Sequence, residues 1–445
     1  MYPANLQRSN QGLEAKPFEW SEHAIELFPF IQAGHPFYPQ MQRFRAELRN
    51  HPRHDELLER MAKNKKTVIH TEVKGLPIPD RGWRLDRFYW SFQSWDATRR
   101  LPFEALTLLY KAKKDKIKWS TFPQDANLTT MASFFEEEQG CDNGRSGAID
   151  VLRYVPQRRL TFRMAGRDDA PAPIIGKFKR RTRFKEAYDK LITVFHGVEQ
   201  STTTFSVAVP RGIDEARCLY FQEAMPGENL AAMVTEDNFT ELMHRVGVVH
   251  REVHSMEILN VPVWDFGVFL RDLQRDVRWI AFFRPEHAVL LDKVQELLVK
   301  GAPRVDPSAY VFCHGDFVCS QILASDGRWS VTDFDLCRCG DPYLDMAILM
   351  TSLAYDIPLF QEQSWQTARG QGCILEAARQ AYLAGYQDGA QQPLDQRRLL
   401  WYCICAELYY LALTFKKGWF GFATFDRAFK RACELTERWR QGGRL

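Results

Sequence analysis

The sequence predicts an α+β protein in which an N-terminal region precedes a small β-rich lobe and a larger helical lobe. Three observations support this architecture. Short strand-like segments separated by turn signals occupy residues 149–224, helical periodicity dominates the chain after them, and an aromatic-rich segment of different texture precedes residue 146. At about 150 residues per domain, a chain of 445 residues has room for about three structural units.

The composition is that of a folded protein. Hydrophobic residues make up 45% and charged residues 26% of the chain, which excludes a mostly disordered polypeptide. With 59 basic and 56 acidic residues the net charge is +3, so nucleic acid is an unlikely partner on charge alone. The start lacks the pattern of a signal peptide, and the longest apolar stretch, residues 401–415, is interrupted by Glu407 and too short to span a bilayer. We therefore expect a cytoplasmic protein without a membrane partner.

Residues 1–145 are predicted to form an N-terminal cap of unknown role. Residues 40–63 are predicted to form a helix, residues 83–90 alternate like a strand, and residues 103–119 are predicted to form a helix with a basic end. A Gly- and Ser-containing turn signal at residues 143–147 marks the end of this region.

Residues 146–226 are predicted to form the small lobe. Turn signals separate five strand-like segments, and one helical segment lies among them at residues 182–195. The strand-like segments are residues 149–155, 160–164, 174–178, 205–210 and 218–224. The sequence Met225-Pro226-Gly227 breaks the pattern and marks the boundary to the next lobe.

Residues 227–445 are predicted to form the helical lobe. Apolar residues at three- and four-residue steps, such as Val246, Val249 and Val253, give an apolar helix face. Two strand-like pieces, residues 309–313 and 329–334, interrupt the helices and are predicted to pair as a hairpin.

Three motifs follow one another within this lobe. They are His-Gly-Asp at residues 314–316, Asp-Phe-Asp at residues 333–335, and Gly-Asp-Pro-Tyr-Leu-Asp at residues 340–345. In this order and spacing they resemble the aminoglycoside phosphotransferase and choline kinase family, relatives of the protein kinases. The resemblance covers residues 146–445 and implies a bilobal protein-kinase-like fold. A maltokinase-like branch of the family would place the N-terminal cap on the small lobe.

The resemblance implies a role for each motif residue. Asp316 would orient the acceptor hydroxyl and take its proton, and Asp333 would bind Mg²⁺ on the nucleotide phosphates. Asp335 would be either a second metal ligand or a capping residue. Gln321 stands where the family pattern has Asn and is interpreted as a variant metal ligand. His314, Asp341 and Asp345 would be structural residues that hold the catalytic loop.

The resemblance also implies a nucleotide site. Lys177 on the third strand would contact the ATP phosphates, with Lys179 on the same strand face as the second candidate and Glu186 on the following helix as the partner carboxylate. The turn at residues 156–159 would cover the phosphates, although a Gly-rich motif is missing there. Its arginines, with Arg158 as the candidate, would either contact the phosphates directly or form a surface turn. A hinge containing Gln222, Glu223 and Met225 would bind adenine.

The leading hypothesis is an enzyme that uses ATP and Mg²⁺ to phosphorylate a hydroxyl of a small molecule, such as a sugar, an amino sugar or an aminoglycoside-like acceptor. A neutral or singly charged acceptor is mildly favoured. The alternative is a pseudokinase that serves as a nucleotide-binding scaffold or regulator, which Gln321 and the missing Gly-rich motif motivate. A third hypothesis assigns the basic runs at residues 111–118 and 179–185 to RNA, against the simpler interpretation of a solvated face or the flank of a phosphate-binding strand.

Overall fold

The computed structural model describes residues 31, 33–63, 67–78, 82–95, 103–140, 149–165, 172–258, 260–363, 374–389, 392–417 and 422–443. They form an N-terminal sheet with helices, a small β-rich lobe and a larger helical lobe. The predicted bilobal α+β fold is confirmed.

The N-terminal region is built on a four-stranded antiparallel sheet in the order β1-β2-β3-β4. Its elements are α1 (Tyr38–Arg49), α2 (His54–Lys63), β1 (Thr67–Ile78), β2 (Gly82–Trp95), β3 (Phe103–Lys111), β4 (Lys116–Thr121) and α3 (Met131–Gly140). The helix predicted over residues 40–63 is therefore two helices.

The helix predicted over residues 103–119 is wrong, because this segment forms the β3–β4 hairpin. Leu106 and Leu108 of β3 pack into the main core, whereas Ala105 packs into a second core shared with the small lobe. A strand covered on both faces is a continuous apolar run, and such a run cannot be distinguished from a buried helix by its periodicity alone.

The small lobe is a five-stranded antiparallel sheet in the order β5-β6-β7-β10-β9, with one long helix, α4. Its elements are β5 (Asp150–Val155), β6 (Arg159–Met164), β7 (Ile174–Lys179), α4 (Phe184–Glu199), β8 (Phe205–Ser206), β9 (Pro210–Asp214) and β10 (Leu219–Glu223). The strand predicted over residues 205–210 is divided, because its first two residues form β8 and its last residue begins β9. The short β8 leaves this sheet to pair in parallel with a strand of the helical lobe, and β9 takes its place in the small lobe.

The helical lobe contains the remaining described elements. They are β11 (Glu228–Asn229), α5 (Leu230–Met233), α6 (Phe239–His254), α7 (Phe266–Phe283), α8 (Ala288–Lys300), β12 (Val311–Cys313), β13 (Ile322–Ser325), β14 (Arg328–Val331), β15 (Arg338–Gly340), α9 (Pro342–Asp356), α10 (Pro358–Gln363), α11 (Ile374–Gln387), α12 (Gln396–Lys417) and α13 (Phe422–Arg440). The hairpin predicted between residues 309–313 and 329–334 is wrong. β12 pairs with β15 instead, and β14 pairs with β13.

Helix α12 lies at the centre of the helical lobe. Within the described part of the chain, its residues Gln396–Lys416 are long and apolar enough to cross a membrane, but 89% of that apolar window is buried inside the fold. Its apolar character is therefore accounted for by core packing.

The N-terminal sheet contacts both lobes, whereas the resemblance placed it on the small lobe only. Against the helical lobe, Trp279 of α7 packs on Gly75 of β1 and, with ring centroids 4.6 Å apart, on Trp83 of β2. Against the small lobe, the Trp95 indole N–H donates to the carbonyl of Val151 at 2.7 Å. The sheet thus bridges the two lobes from outside.

We expect Gly75→Ala to destabilise this junction by about 1–3 kcal/mol, the usual cost of overpacking a close contact. The added Cβ would collide with the buried ring of Trp279. Urea unfolding monitored by tryptophan fluorescence would measure the change. Gly267→Ala on α7 is the matched control. A Cβ added there would lie 3.2 Å from the Asp265 side chain and 3.4 Å from the Arg271 side chain, and it would not collide with a buried ring. Equal stability of the two variants would contradict the proposed close contact.

Candidate active site

The loop that carries Asp316 is fixed through its backbone. Asp345 of α9 accepts the backbone N–H groups of His314 at 2.8 Å and Gly315 at 2.9 Å. Gly315 has a φ of 81°, and a Cβ at this position would collide with the carbonyl oxygen of Leu336. Only glycine allows this backbone conformation and this close approach without strain, so the Asp316 loop lies directly on the loop that follows Asp333.

Two histidines of α6 pack against the carboxylate of Asp345. His250 and His254 of α6 each place Nε2 3.5 Å from Asp345 Oδ2, and their Nδ1 atoms bond to the hydroxyls of Tyr382 and Tyr386 at 2.8 and 2.7 Å. Burial opposes ionisation of Asp345, but these histidines hold its pKa well below the usual range. His250, His254 and Asp345 are close enough to hold a metal ion. The carboxylate oxygens already accept backbone N–H groups, so we assign the trio to positioning the loop.

Asp341 attaches the start of α9 to the lobe. Its side chain accepts the N–H of Tyr343 at 3.1 Å and bonds to Arg398 at 2.5 Å and to the hydroxyl of Tyr402 at 2.6 Å. Both of those partners belong to α12. Asp341 therefore lies where the resemblance expects a structural residue.

Asp316 has the environment of a general base. Its Oδ2 atom is buried and has no hydrogen-bond partner among the described residues. Burial raises the pKa of Asp316 to about 7, and the nearby charge of Asp333 acts in the same direction. A carboxylate with a pKa near neutrality can both exist ionised at pH 7 and accept a proton effectively.

Asp333 and Gln321 lie side by side at the end of the β13–β14 hairpin. Thr332, immediately before Asp333, donates its backbone N–H to the Gln321 carbonyl at 2.9 Å, and its hydroxyl lies 3.4 Å from Gln321 Oε1. Asp333 has a φ of 67°, the left-handed region. The hairpin therefore places Gln321 beside Thr332, the residue before Asp333, and both Gln321 and Asp333 carry hard oxygen donors of the kind that Mg²⁺ prefers.

Cations of the small lobe face Asp333 across the cleft. Lys177 Nζ lies 3.8 Å from Asp333 Oδ1, and Arg159 Nη1 lies 3.5 Å from Asp333 Oδ2. Burial alone would raise the pKa of Asp333, but Lys177 and Arg159 outweigh it and hold the pKa well below the usual range. Asp333 is therefore an anion in the folded protein.

Asp335 is surrounded by a second set of cations. Its carboxylate forms an ion pair with Lys179 and lies 3.8 Å from Arg159, and its carbonyl accepts from Lys190 of α4 at 3.0 Å. The buried ring of Tyr220 lies beneath Lys179, 5.9 Å from Nζ to the centroid. The negative charge of Asp335 is thus balanced by Lys179 and Arg159. Asp335 therefore fits the predicted role of metal ligand less well than Asp333 does.

Two predicted nucleotide residues lie outside this cluster. Glu186 does not pair with Lys177. Its carboxylate bonds to Lys190, one helical turn along α4, at 3.1 Å, and to Arg183 at 3.0 Å. Arg158 points away from the cleft and bonds to Glu72 of β1 at 3.1 Å.

The predicted hinge borders a pocket that Lys177, Ala208, Gln222 and Asp333 help to line. The Glu223 N–H donates to Val209 at 2.9 Å and the Ala224 N–H to Pro173 at 2.8 Å. The carboxylate of Glu223 forms an ion pair with Arg211. Met225 follows Ala224 in the predicted hinge, and its side chain is partly exposed.

Sequence reasoning missed Lys190 and Asp356, and among the arginines of the turn at residues 156–159 it selected Arg158 instead of Arg159. Arg159 pairs in register with Lys179, so the face of β7 that carries Lys177 and Lys179 also carries Arg159, and this alternation could have identified it. Lys190 reaches the site only through the packing of α4. Asp356, buried at the end of α9, has its pKa raised to about 7 by burial and by the charge of Asp316, and no local motif announces it.

We expect Asp345→Ala to cost about 3–5 kcal/mol in the free energy of unfolding, because it leaves buried partners uncompensated. Chemical denaturation would measure the loss. Asp388→Ala, at an exposed position after α11, is the control and should change stability by less than about 0.5 kcal/mol. A near-neutral Asp345→Ala would contradict the role of Asp345 in fixing the loop.

A sequence model described as the phosphotransferase enzyme family matches residues 165–400, more than half of the chain. No curated protein matches the chain.

Several solved structures are similar to the chain. A choline/ethanolamine kinase family protein from Mesorhizobium loti has 14% identity and a TM-score of 0.45, with 69% of this chain and 95% of that chain covered. A macrolide 2′-phosphotransferase from Brachybacterium faecium has 15% identity and a TM-score of 0.43, with 69% and 98% covered. A spectinomycin phosphotransferase in complex with ADP and spectinomycin has 11% identity and a TM-score of 0.43, with 66% and 93% covered.

Proposed function

Because this chain belongs to the phosphotransferase enzyme family, we propose that it transfers the γ-phosphoryl group of ATP to a hydroxyl of a small molecule. The observation that carries the proposal is the pairing of two acids with different environments in one cleft. Asp316 has a buried oxygen without a described partner, whereas Asp333 faces Lys177 and Arg159. The first environment suits a base, and the second suits the phosphates.

In the proposed reaction, Asp316 accepts the proton of the acceptor hydroxyl as the acceptor oxygen forms a bond to the γ-phosphorus. The bond between that phosphorus and the bridging oxygen of ADP breaks, and ADP leaves with the electron pair. Lys177 and Arg159 are placed to stabilise the negative charge on the phosphate oxygens. The cavity beside Gln222 would hold the adenine.

Asp333 and Gln321 would hold Mg²⁺, since both residues flank the paired ends of one hairpin and carry oxygens that suit a hard cation. When bound, Mg²⁺ neutralises phosphate charge. In the described structure Asp335 is paired with Lys179, so we assign it to charge balance in the cleft instead of to metal binding.

A screen of hydroxylated small molecules for Mg²⁺-dependent ATP consumption tests the function. Matched pairs such as glucosamine and glucose separate the effect of the amine from the effect of the hydroxyls. Formation of a phosphorylated acceptor, identified by mass spectrometry, would establish the activity. Binding of ATP without turnover of any acceptor would instead indicate a nucleotide-binding scaffold.

We expect Asp316→Asn to lower kcat at least about 100-fold, because the amide cannot accept the proton. Its thermal unfolding should stay close to that of the wild type. Asp326→Asn, in the exposed turn of the β13–β14 hairpin, is the matched acid-to-amide control and should keep full activity. An active Asp316→Asn variant would overturn the assignment of the base.

We expect kcat/KM to fall about tenfold for each pH unit below about 7 and to level off above it. The pKa of Asp316 is raised to about 7, and only the ionised form accepts a proton. The profile should be measured with a phosphorylated product as the readout and with the stability of the enzyme checked at each pH. A flat profile between about pH 5 and pH 8 would show that Asp316 does not act as the base.

A further inference from the structure

The turn between β5 and β6 lies where a nucleotide loop would cover the phosphates. It leads directly into Arg159, whose guanidinium lies 3.5 Å from Asp333. The turn is not Gly-rich, and its central residue, Gln157, adopts a φ of 60° with only 5% of its surface exposed. A buried polar residue in the left-handed region needs specific partners to hold it.

Those partners come from the N-terminal region. Asp125, between β4 and α3, accepts the Gln157 backbone N–H and the Tyr154 hydroxyl on Oδ2, each at 2.7 Å. Its other oxygen accepts the N–H groups of Asn127 at 2.8 Å and Leu128 at 3.1 Å, so Asp125 is itself fixed. Asn127 also donates its side-chain amide to the Gln157 carbonyl at 3.2 Å.

Two arginines complete the attachment. Arg180 donates Nε to the Gln157 carbonyl at 2.6 Å, and Arg158 bonds to Glu72 of β1 at 3.1 Å. Arg158 is therefore directed toward the N-terminal sheet, and the next residue, Arg159, is directed into the cleft. The two partners of these adjacent arginines, Glu72 and Asp333, together fix the orientation of the turn.

This attachment changes how the site can hold phosphate. In a Gly-rich loop, free backbone N–H groups bind the phosphate oxygens. Here the N–H of Gln157 is used by Asp125, so the contact with phosphate passes to the side-chain cations Arg159 and Lys177. The position of Arg159 then depends on the turn that precedes it.

We propose that the N-terminal region is a positioning element of the nucleotide site, in which Asp125 fixes the β5–β6 turn and thereby directs Arg159 toward the phosphates of ATP. This inference rests on the proposed function. Asp125 acts through Gln157 and Arg159 and is a positioning residue.

The test compares binding of ATP with Mg²⁺ to binding of adenosine, by calorimetry, in the wild type and in Asp125→Asn. We expect Asp125→Asn to weaken ATP about tenfold, the effect of losing one hydrogen bond between the Arg159 guanidinium and a phosphate oxygen. Adenosine, which has no phosphates, should bind both proteins equally. Asp115→Asn is the matched control in the same sheet, because Asp115 is exposed and bonds to Arg43 at 3.0 Å. It should change neither affinity.

Tyr154→Phe provides a milder variant that removes one bond to Asp125 and keeps the ring in the core. We expect it to weaken ATP by a smaller factor than Asp125→Asn does, again without an effect on adenosine. Unchanged ATP binding in folded Tyr154→Phe and Asp125→Asn proteins would overturn the inference, and so would an equal loss of ATP and adenosine. Failure of the wild type to bind ATP would overturn the proposed function instead.

Discussion

The ion pairs across the cleft constrain the rest of this structure. Asp333 and Asp335 are two residues apart on one loop. Nearby cations are needed to offset the repulsion between their two negative charges. Arg159 lies near both carboxylates, whereas Lys177 pairs with Asp333 and Lys179 pairs with Asp335. Because these cations belong to the small lobe and the carboxylates to the helical lobe, the same pairs also define how the lobes face each other. Lys190 of α4 also reaches this loop, but it is paired with Glu186. The three cations Arg159, Lys177 and Lys179 outnumber the two acids. A polyphosphate complements that surplus.

Asp316, the proposed base, is placed by a different kind of interaction, one that acts on the backbone of its loop and not on its carboxylate. Asp345 binds backbone N–H groups before Asp316, and Gly315 lets this loop rest on the carbonyl of Leu336. Backbone attachment leaves the Asp316 carboxylate itself without a described partner on Oδ2, and burial then raises its pKa. Two carboxylates in one cleft therefore differ in proton affinity because one is surrounded by cations and the other is not.

The part of the site that could be predicted from the sequence is the part in which spacing along the chain fixes proximity in space. The motifs around Asp316 and Asp333 lie on loops joined by short strands, so their order and spacing were informative even though the predicted pairing of those strands was wrong. The nucleotide side was less predictable, because it depends on which face of a strand points inward. One residue separates Arg158, which bonds to Glu72, from Arg159, which faces Asp333, and only the register with β7 distinguishes them. For Glu186 the competing partner, Lys190, is a local helical neighbour that outweighed the expected long-range pair.

The N-terminal region could not be connected to the site from the sequence at all, and the reason is physical. Its contacts with the β5–β6 turn join residues about thirty positions apart through one buried carboxylate, Asp125, and no periodicity or motif encodes such a contact. The same region packs Gly75 and Trp83 on Trp279 of the helical lobe. The sheet therefore contacts both the small lobe and the helical lobe outside the cleft. The β5–β6 turn, which we propose to lie over the phosphates, is fixed to this N-terminal region by hydrogen bonds, and a turn whose conformation is fixed in this way has no need of the flexible glycines of a Gly-rich loop.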